Sequence, residues 1–532
     1  MVDEIKTGWN QRIDELVNKE MIKPEQVDGL KKMIDSSDKE NFAIVKEIVK
    51  IKLEDRLAEG LNADQTVAFN DIIEFLRDGT EDAFILKGYA GTGKTFLVKR
   101  IIEYITAIYP KRSIAITAPT NKAVRVLQAD APFVDGESTI LDNVFTVGKV
   151  KYSTIHKLLG LKEQVTDSGN QLFKPDPKDK SELSKFKYLI VDEVSMLDDA
   201  LCVEILKQNV GIKVIFMGDP AQIPPVNRMD CIPFRDTSKY NFKRAELNEI
   251  MRQTGEHPVV DASFILRNNL DKKQPIPTLN TDLTEDDKGI VYLNSETDRK
   301  TVKPLLEKLF NCEEFSADAD HAKVIAWRNK TVDYINTIIR EILYGKTADM
   351  YMVGEKIIAR SSIFKPNDNK SRWGAKWVVK ISTSEEMEIL DVKLIKKKFA
   401  EGSYKLYAQM YQCEIKIYDP IDKVYKLDTI FIMHESSAED YQALIKKVKN
   451  MAIRARDKSA WITYYNIIKW SADVSYNYAI TAHKAQGSTY KNVVLMEEDL
   501  DHNPNVVERN RIKYTAYSRP TDKLFILRKN YV

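Results

Sequence analysis

At 532 residues the chain exceeds what one hydrophobic core can organise, so several domains are expected. A composition of 43% hydrophobic and 30% charged residues with a net charge of +2 is that of an ordinary soluble protein and excludes a uniformly basic one. Any nucleic-acid surface must therefore be a local basic stripe. Cys202, Cys231, Cys312 and Cys413 lie far apart with no C-x-x-C pair, which argues against a zinc site or disulfide framework. With no apolar run of transmembrane length and no signal-peptide pattern, the expectation is a cytoplasmic protein.

Residues 1–58 read as a helical module. Trp9, Ile13, Leu16 and Val17 share one face, as do Val27, Leu30, Met33 and Ile34. Ser37-Asp-Lys-Glu40 can form a capping box opening a third helix. The module packs on the next domain or offers a docking surface. Leu61-Asn-Ala-Asp-Gln65 follows, with Asn62 or Asp64 suited to cap a helix. The Gln65 amide can pair with both donor and acceptor on an adenine edge, or be a plain surface glutamine.

Gly88-Tyr-Ala-Gly-Thr-Gly-Lys-Thr95 fits the phosphate-loop pattern G-x-x-x-x-G-K-[ST], between an apolar run and a helical pattern. Gly88, Gly91, Thr92 and Gly93 let backbone N–H groups turn toward phosphate oxygens at a helix N-terminus. Lys94 is placed for the β- and γ-phosphates and the Thr95 hydroxyl for Mg²⁺. The ligand expected is a nucleoside triphosphate, ATP, with Mg²⁺.

Ser113 to Val124 reads as a strand broken by Pro119 into a loop and helix. Thr120, Asn121 and Lys122 then sit at the C-terminal edge of a parallel sheet, where they suit a phosphodiester backbone or cap the helix. Residues 129–152 interrupt the rhythm. Asp135-Gly136 marks a turn, and the reading is an inserted hairpin. Phe133 and Phe145 either wedge against a base pair or pack beneath it. In Ser153-Thr-Ile-His-Lys157, Thr154 and His156 alternate on one side and can touch phosphate.

Tyr188-Leu-Ile-Val-Asp-Glu-Val-Ser-Met196 is a buried strand ending in two carboxylates. Asp192 suits Mg²⁺ and Glu193 suits orienting or deprotonating the attacking water. Val214 to Pro225 is another strand breaking into a proline-stiffened loop, with Gln222 placed to sense a γ-phosphate.

These segments, in this order, resemble the superfamily 1 helicases, most nearly the 5′-to-3′ branch of RecD-like and phage Dda-like enzymes. Further segments carry the likeness. Leu247 to Gln253 is similar to the stretch whose arginine reaches the γ-phosphate, here Arg252. Ala322 to Trp327 and the helix after it resemble the opening of the second motor domain. Tyr478-Ala-Ile-Thr-Ala-His-Lys-Ala-Gln-Gly-Ser488 is similar to a motif in which Thr481 and His483 face nucleic acid while Lys484, Gln486 and Gly487 couple that contact to the cleft. Tyr514-Thr-Ala-Tyr-Ser-Arg519 resembles the last motif, with Arg519 as a second arginine finger.

The resemblance implies an α/β protein with two RecA-like P-loop domains. The expected divisions are a helical module (1–58), a first RecA-like domain (59–128 and 153–246), a hairpin (129–152), a second RecA-like domain (247–360 and 471–532) and an SH3-like β-rich insertion (361–470). In that insertion the basic run Lys393 to Lys398 reads as a solvated face. The implied activity is ATP-dependent 5′-to-3′ unwinding by a monomer acting on single-stranded and duplex DNA, alongside single-strand-binding or replication proteins and away from membranes. A translocase, an RNA helicase and a nucleotide-gated strand-binding module remain open. A P-loop kinase or GTPase is disfavoured by the Thr481–Gly487 motif.

Overall fold

A computed structural model describes residues 26–36, 39–109, 113–119, 150–166, 171–175, 181–208, 211–225, 230–236, 239–249, 257–272, 281–294, 299–366, 377–419 and 424–528, with isolated residues 10, 13–14, 17, 123–124, 127 and 168. The first domain is built on β1 (Ala83–Gly88), β2 (Ile114–Ala118), β3 (Val150–Thr154), β6 (Tyr188–Val191), β7 (Lys213–Gly218) and β8 (Phe242–Leu247), with a hairpin of β4 (Leu161–Val165) and β5 (Gln171–Pro175) leaving it after β3. The six sheet strands run parallel in the order β3-β2-β6-β7-β1-β8. Buried on both faces, β2 and β6 are apolar almost throughout, as parallel strands between helices must be.

Residues 150–152, read above with the inserted hairpin, instead open β3 at the sheet edge; residues 129–149, with Phe133 and Phe145, lie outside the described residues. The hairpin that is described falls later, at Leu161–Pro175. The N-terminal helices Val27–Ser36 and Lys39–Ala58 share a core with the first domain: Leu30, Ile34, Val49 and Leu53 pack in one cluster with Phe69, Ile72 and Tyr104. Arg77 reinforces this seam, donating to Tyr104 at 3.0 Å and pairing with Glu54.

The second domain begins with β9 (Asp282–Leu283), β10 (Gly289–Asn294) and β11 (Ala322–Ala326). It is interrupted by β12 (Lys356–Ala359), β13 (Ile363–Pro366), β14 (Trp377–Ile381), β15 (Glu386–Glu401), β16 (Tyr404–Asp419), β17 (Val424–Met433) and β18 (Val474–Tyr476), and resumes with β19 (Ala479–Thr481), β20 (Tyr490–Met496) and β21 (Pro520–Arg528). Its sheet, β19-β11-β20-β21-β10-β9, is parallel except for the short β9.

The insertion is an antiparallel sheet, β17-β16-β15-β12-β18. Because β12 and β18 belong to it, the insertion extends beyond the expected 361–470 at both ends. Its arms β15 and β16 are 16 residues each, long enough to pass through two small cores. The inner core holds Ile357, Met387, Ile415 and Ile430. In the outer one Phe399, Ala408 and Met410 meet Tyr441, Val448 and Ile467 from helices Glu435–Ala455 and Lys458–Ile468, and Trp470 just after them. Among the described residues no helix is long and apolar enough to cross a membrane.

Candidate active site

The phosphate loop links β1 to helix Lys94–Ile108. Gly91 and Gly93 take left-handed φ of 81° and 76°, which a side chain would oppose. A Cβ on Gly88 would lie 2.6 Å from Lys94 Cγ, so glycine lets the lysine fold across the loop. There Lys94 Nζ donates to the Tyr89 carbonyl at 3.0 Å.

Gln65 stands beneath this loop with no exposed surface. It completes a capping box: its N–H donates to Asn62 Oδ1 at 2.8 Å and its Oε1 accepts from Asn62 N at 3.2 Å. Its Nε2 donates to the Thr92 carbonyl at 3.0 Å. The amide read above as suited to an adenine edge thus holds helix Ala63–Asp78 against the loop in this state.

β6 delivers Asp192 and Glu193 to the same cleft. Glu193 sits at φ 51°, a strained conformation for a residue with a side chain and one found at functional sites. Its N–H donates to Asp192 Oδ1 at 2.7 Å. Burial, then mutual repulsion, pushes the Asp192 carboxyl well above its ordinary range; burial raises Glu193 as well. Lys94 opposes both shifts and Arg519 opposes that of Glu193, so the four groups share one field. Two half-buried carboxylates facing a single loop lysine form a hard-oxygen donor set with charge to offset, which fits Mg²⁺ at Thr95 and Asp192.

The second domain closes over this cleft through specific contacts. Gln486 Nε2 donates to Ser195 Oγ at 3.0 Å, just past the carboxylate pair. Gly487, at φ 75°, lies next to the carboxylate: an added Cβ would sit 3.6 Å from Glu193 Oε1, at van der Waals contact. Tyr514, from helix Val506–Tyr517, donates to Asp219 Oδ2 at 2.7 Å and accepts from the loop N–H of Ala90 at 3.1 Å. Arg511 donates to the Pro220 carbonyl at 2.8 Å. Arg519 is held on its own domain by the carbonyls of Thr515 at 2.8 Å and Ser488 at 3.0 Å and by Ser518 Oγ at 2.7 Å. Gln222 is 4% exposed, and its side-chain oxygen has no hydrogen-bond partner among the described residues. A cavity of about 320 Å³ adjoins the loop between the domains, lined by Tyr89, Gly91, Phe264, Arg267, Tyr514 and Ser518. Arg267 lies 4.0 Å from the Tyr89 ring centroid.

Thr154 and Thr481 end the two edge strands, β3 and β19. Each hydroxyl caps a four-residue helix, accepting at 3.4 Å from the N–H of Lys157 and Lys484 respectively. His156 is therefore on a helical turn, and burial lowers the pKa of both His156 and His483. The His156 ring meets Phe173 of β5 at 4.3 Å between centroids, while Phe173 remains 55% exposed. Lys484 shares a small cleft with Asn329, Arg360, Ser475 and Thr481 at the root of the insertion.

The fold thus gathers Gly88, Gly91, Thr92, Gly93, Lys94, Thr95, Asp192, Glu193, Gln222, Gly487 and Arg519 at one cleft; Arg252, Thr120 and Asn121 lie outside the described residues. Sequence reasoning missed Ser195, Asp219, Arg511 and Tyr514, whose partners are distant in the chain. It missed the Phe173 hairpin too, although Gln171-Leu-Phe-Lys-Pro175 follows a turn-forming Asp-Ser-Gly-Asn.

Two family models match the chain: an AAA domain over residues 60–277 and a UvrD-like helicase C-terminal domain over 476–527. The chain is 27% identical over 454 residues to the ATP-dependent DNA helicase dda of Enterobacteria phage T4, covering 81% of this chain and 90% of that protein. It is 26% identical over 505 residues to the uncharacterized protein R530 of Acanthamoeba polyphaga mimivirus, covering 87% and 99%. Among solved structures, the Pif1 helicase from Bacteroides in complex with ADP-AlF3 and ssDNA aligns over 87% of this chain and 92% of that one, at 17% identity and a TM-score of 0.43. The chain belongs to superfamily 1B, the RecD-, Pif1- and Dda-like family of ATP-dependent DNA helicases.

Proposed function

We propose that the protein walks 5′-to-3′ along single-stranded DNA as a monomer, using ATP hydrolysis in the interdomain cleft, and separates duplex at the Leu161–Pro175 hairpin. The observation that carries this reading is the contact between Gln486 and Ser195, which joins the end of the segment Thr481–Gly487 to the residue two beyond Glu193.

Lys94 leaves the loop carbonyls to meet the β- and γ-phosphates. Thr95 and Asp192 would hold Mg²⁺, which would supply positive charge against the phosphate oxygens. Glu193 orients the attacking water and takes its proton. Gln222 offers its unpaired oxygen, through that water, to the γ-phosphate region. Arg519 and Arg252 stabilise charge on the transferring phosphoryl group as the cleft closes. The aromatic-lined cavity beside Tyr89 receives the base.

Thr120, Asn121, Thr154 and His156 grip the strand from the first domain, and Thr481, His483 and Lys484 from the second. Alternation of these grips moves the strand. Phe173, exposed on the hairpin and anchored on His156, stacks against the junction where strands part. The same role was expected of residues 129–152, of which 129–149 lie outside the described residues.

The test is strand displacement with Mg²⁺ and ATP on duplexes carrying a 5′ or a 3′ single-stranded tail. Opening from the 5′ tail alone, lost in Lys94→Ala, is expected. Opening from the 3′ tail would reverse the polarity, and opening by Lys94→Ala would sink the motor reading.

A further inference from the structure

Charge is distributed unevenly along the chain. From Lys356 to Tyr476 there are 22 Lys and Arg against 15 Asp and Glu, a net of +7 in a protein whose total is +2. At the root of the insertion these cations are paired. Lys356 and Lys416 share Glu388 at 2.6 and 3.1 Å, and Lys380 meets Asp428 at 2.6 Å.

The outer end differs. Lys446, Lys447, Lys449, Arg454, Arg456 and Lys458 crowd the C-terminal half of helix Glu435–Ala455 and the turn after it. All six are exposed, and none forms an ion pair among the described residues. The one carboxylate within this stretch, Asp457, is engaged in capping the next helix, accepting from Ser459 N at 3.1 Å and Ala460 N at 3.3 Å.

A helix C-terminus favours cations only in its last turn, which accounts for Arg454 but not for Lys446, Lys447 and Lys449. An ordinary solvated face mixes signs, whereas like charges at this spacing weaken the helix. The cluster is therefore unfavourable for the isolated fold and calls for a polyanion.

Position identifies which one. Helix Lys458–Ile468, which begins at the cluster, packs on helix Glu435–Ala455 and lies against β4 of the hairpin in the first domain. Helix Lys458–Ile468 thus links the cluster to the hairpin that carries exposed Phe173, the place at which the proposed function has the strands part. Lys447 and Arg454 share a helix face about 10 Å apart along the axis. That distance matches about three base-pair steps of duplex.

We propose that the end of helix Glu435–Ala455 docks the phosphate backbone of duplex DNA approaching the hairpin. The proposal rests on the helicase reading above. It adds a second DNA contact outside the strand track, one that holds the duplex while the motor domains pull.

The experiment compares the full-length protein with a Lys446→Glu/Lys447→Glu/Lys449→Glu variant, and with the milder triple change to Gln. Binding of a blunt duplex and of a single strand is measured by fluorescence anisotropy across a salt series. Each phosphate contact contributes about 0.9 to the slope of log affinity against log salt, so the slope for duplex should fall by about 2 to 3. Single-strand affinity and strand-stimulated ATP hydrolysis should stay unchanged, and the Gln variant should shift in the same direction by less. An unchanged duplex slope overturns the proposal. Equal losses for duplex and single strand also overturn it, because they would put the cluster on the strand track. Absence of strand-stimulated hydrolysis in the unmodified protein would instead count against the helicase reading itself.

Discussion

The two motor domains present the same device at the same place. Thr154-Ile-His-Lys157 and Thr481-Ala-His-Lys484 each end the edge strand of a parallel sheet, and each threonine caps a single helical turn. What lies beyond the turn differs. After Lys157 the chain runs into the hairpin, and His156 packs on Phe173. After Lys484 it runs into the cleft, where Gln486 reaches Ser195 and Gly487 abuts Glu193. One turn is joined to the hairpin and the other to the carboxylate cleft. A repeated local motif takes its role from what the tertiary structure places next to it.

The comparison can be broken most severely at its catalytic end. Arg519→Ala should lower the rate of strand-stimulated ATP hydrolysis by roughly 10³- to 10⁵-fold, and Glu193→Gln by roughly 10²- to 10⁴-fold, with strand binding intact in both. Steady-state hydrolysis alongside anisotropy with labelled oligonucleotide checks this.

Gln486→Ala tests the wiring itself. Basal hydrolysis should persist while its stimulation by single strands drops by roughly 5- to 150-fold, the usual range for coupling between sites. Full stimulation in this variant would remove the distinction between the two grips. The matching change on the other side, Phe173→Ala, should leave stimulation intact and depress strand separation, read as a lower number of base pairs opened per ATP.

Tyr514→Phe leaves Asp219 and the Ala90 N–H without their shared hydroxyl. Loss of a hydrogen bond to a charged group is worth about 1.5–3 kcal/mol. Turnover should fall about tenfold or more with little change in nucleotide affinity, and pairing it with Asp219→Asn should add little further loss, as for members of one network.

The smallest expected effect is one of pH. Burial beside Glu193 raises the Asp192 pKa, so a proton must leave before the carboxylate can hold Mg²⁺. Mg²⁺-nucleotide affinity should therefore weaken as pH falls from about 8 to about 6, with proton release on binding measurable by calorimetry in buffers of different ionisation heat. In the metal-free protein the sign reverses for stability. A carboxyl whose pKa is raised by folding stabilises at low pH, and that contribution is lost as pH rises through the folded value. Both histidines act the other way. Their lowered pKa leaves them neutral, and phosphate favours the protonated form, so strand affinity should rise as pH falls through their folded values.

Much of this was legible before any coordinates. The apolar runs of β1, β6 and β7, each followed by its chemistry-bearing loop, follow from local pattern because a doubly covered parallel strand must be apolar and must present its ligands at its C-terminal end. Phe133, Phe145 and Phe173 are alike as letters; the first two lie outside the described residues, and the exposure of Phe173 beside His156 is a tertiary fact. Gln65 was read for its amide chemistry, yet burial commits that amide to Asn62 and Thr92.

By itself the sequence determined that there are two RecA-like domains and what lies on each loop, since these depend on short-range spacing and residue type. Only the tertiary structure decided which loop answers to which. Gln486 meets Ser195 across 291 residues and Tyr514 meets Asp219 across 295, pairings that no local periodicity encodes. The same holds for the cations of the insertion. Their number is a property of composition, but whether a lysine finds a carboxylate at the root or faces water at the tip depends on how the strands and helices pack.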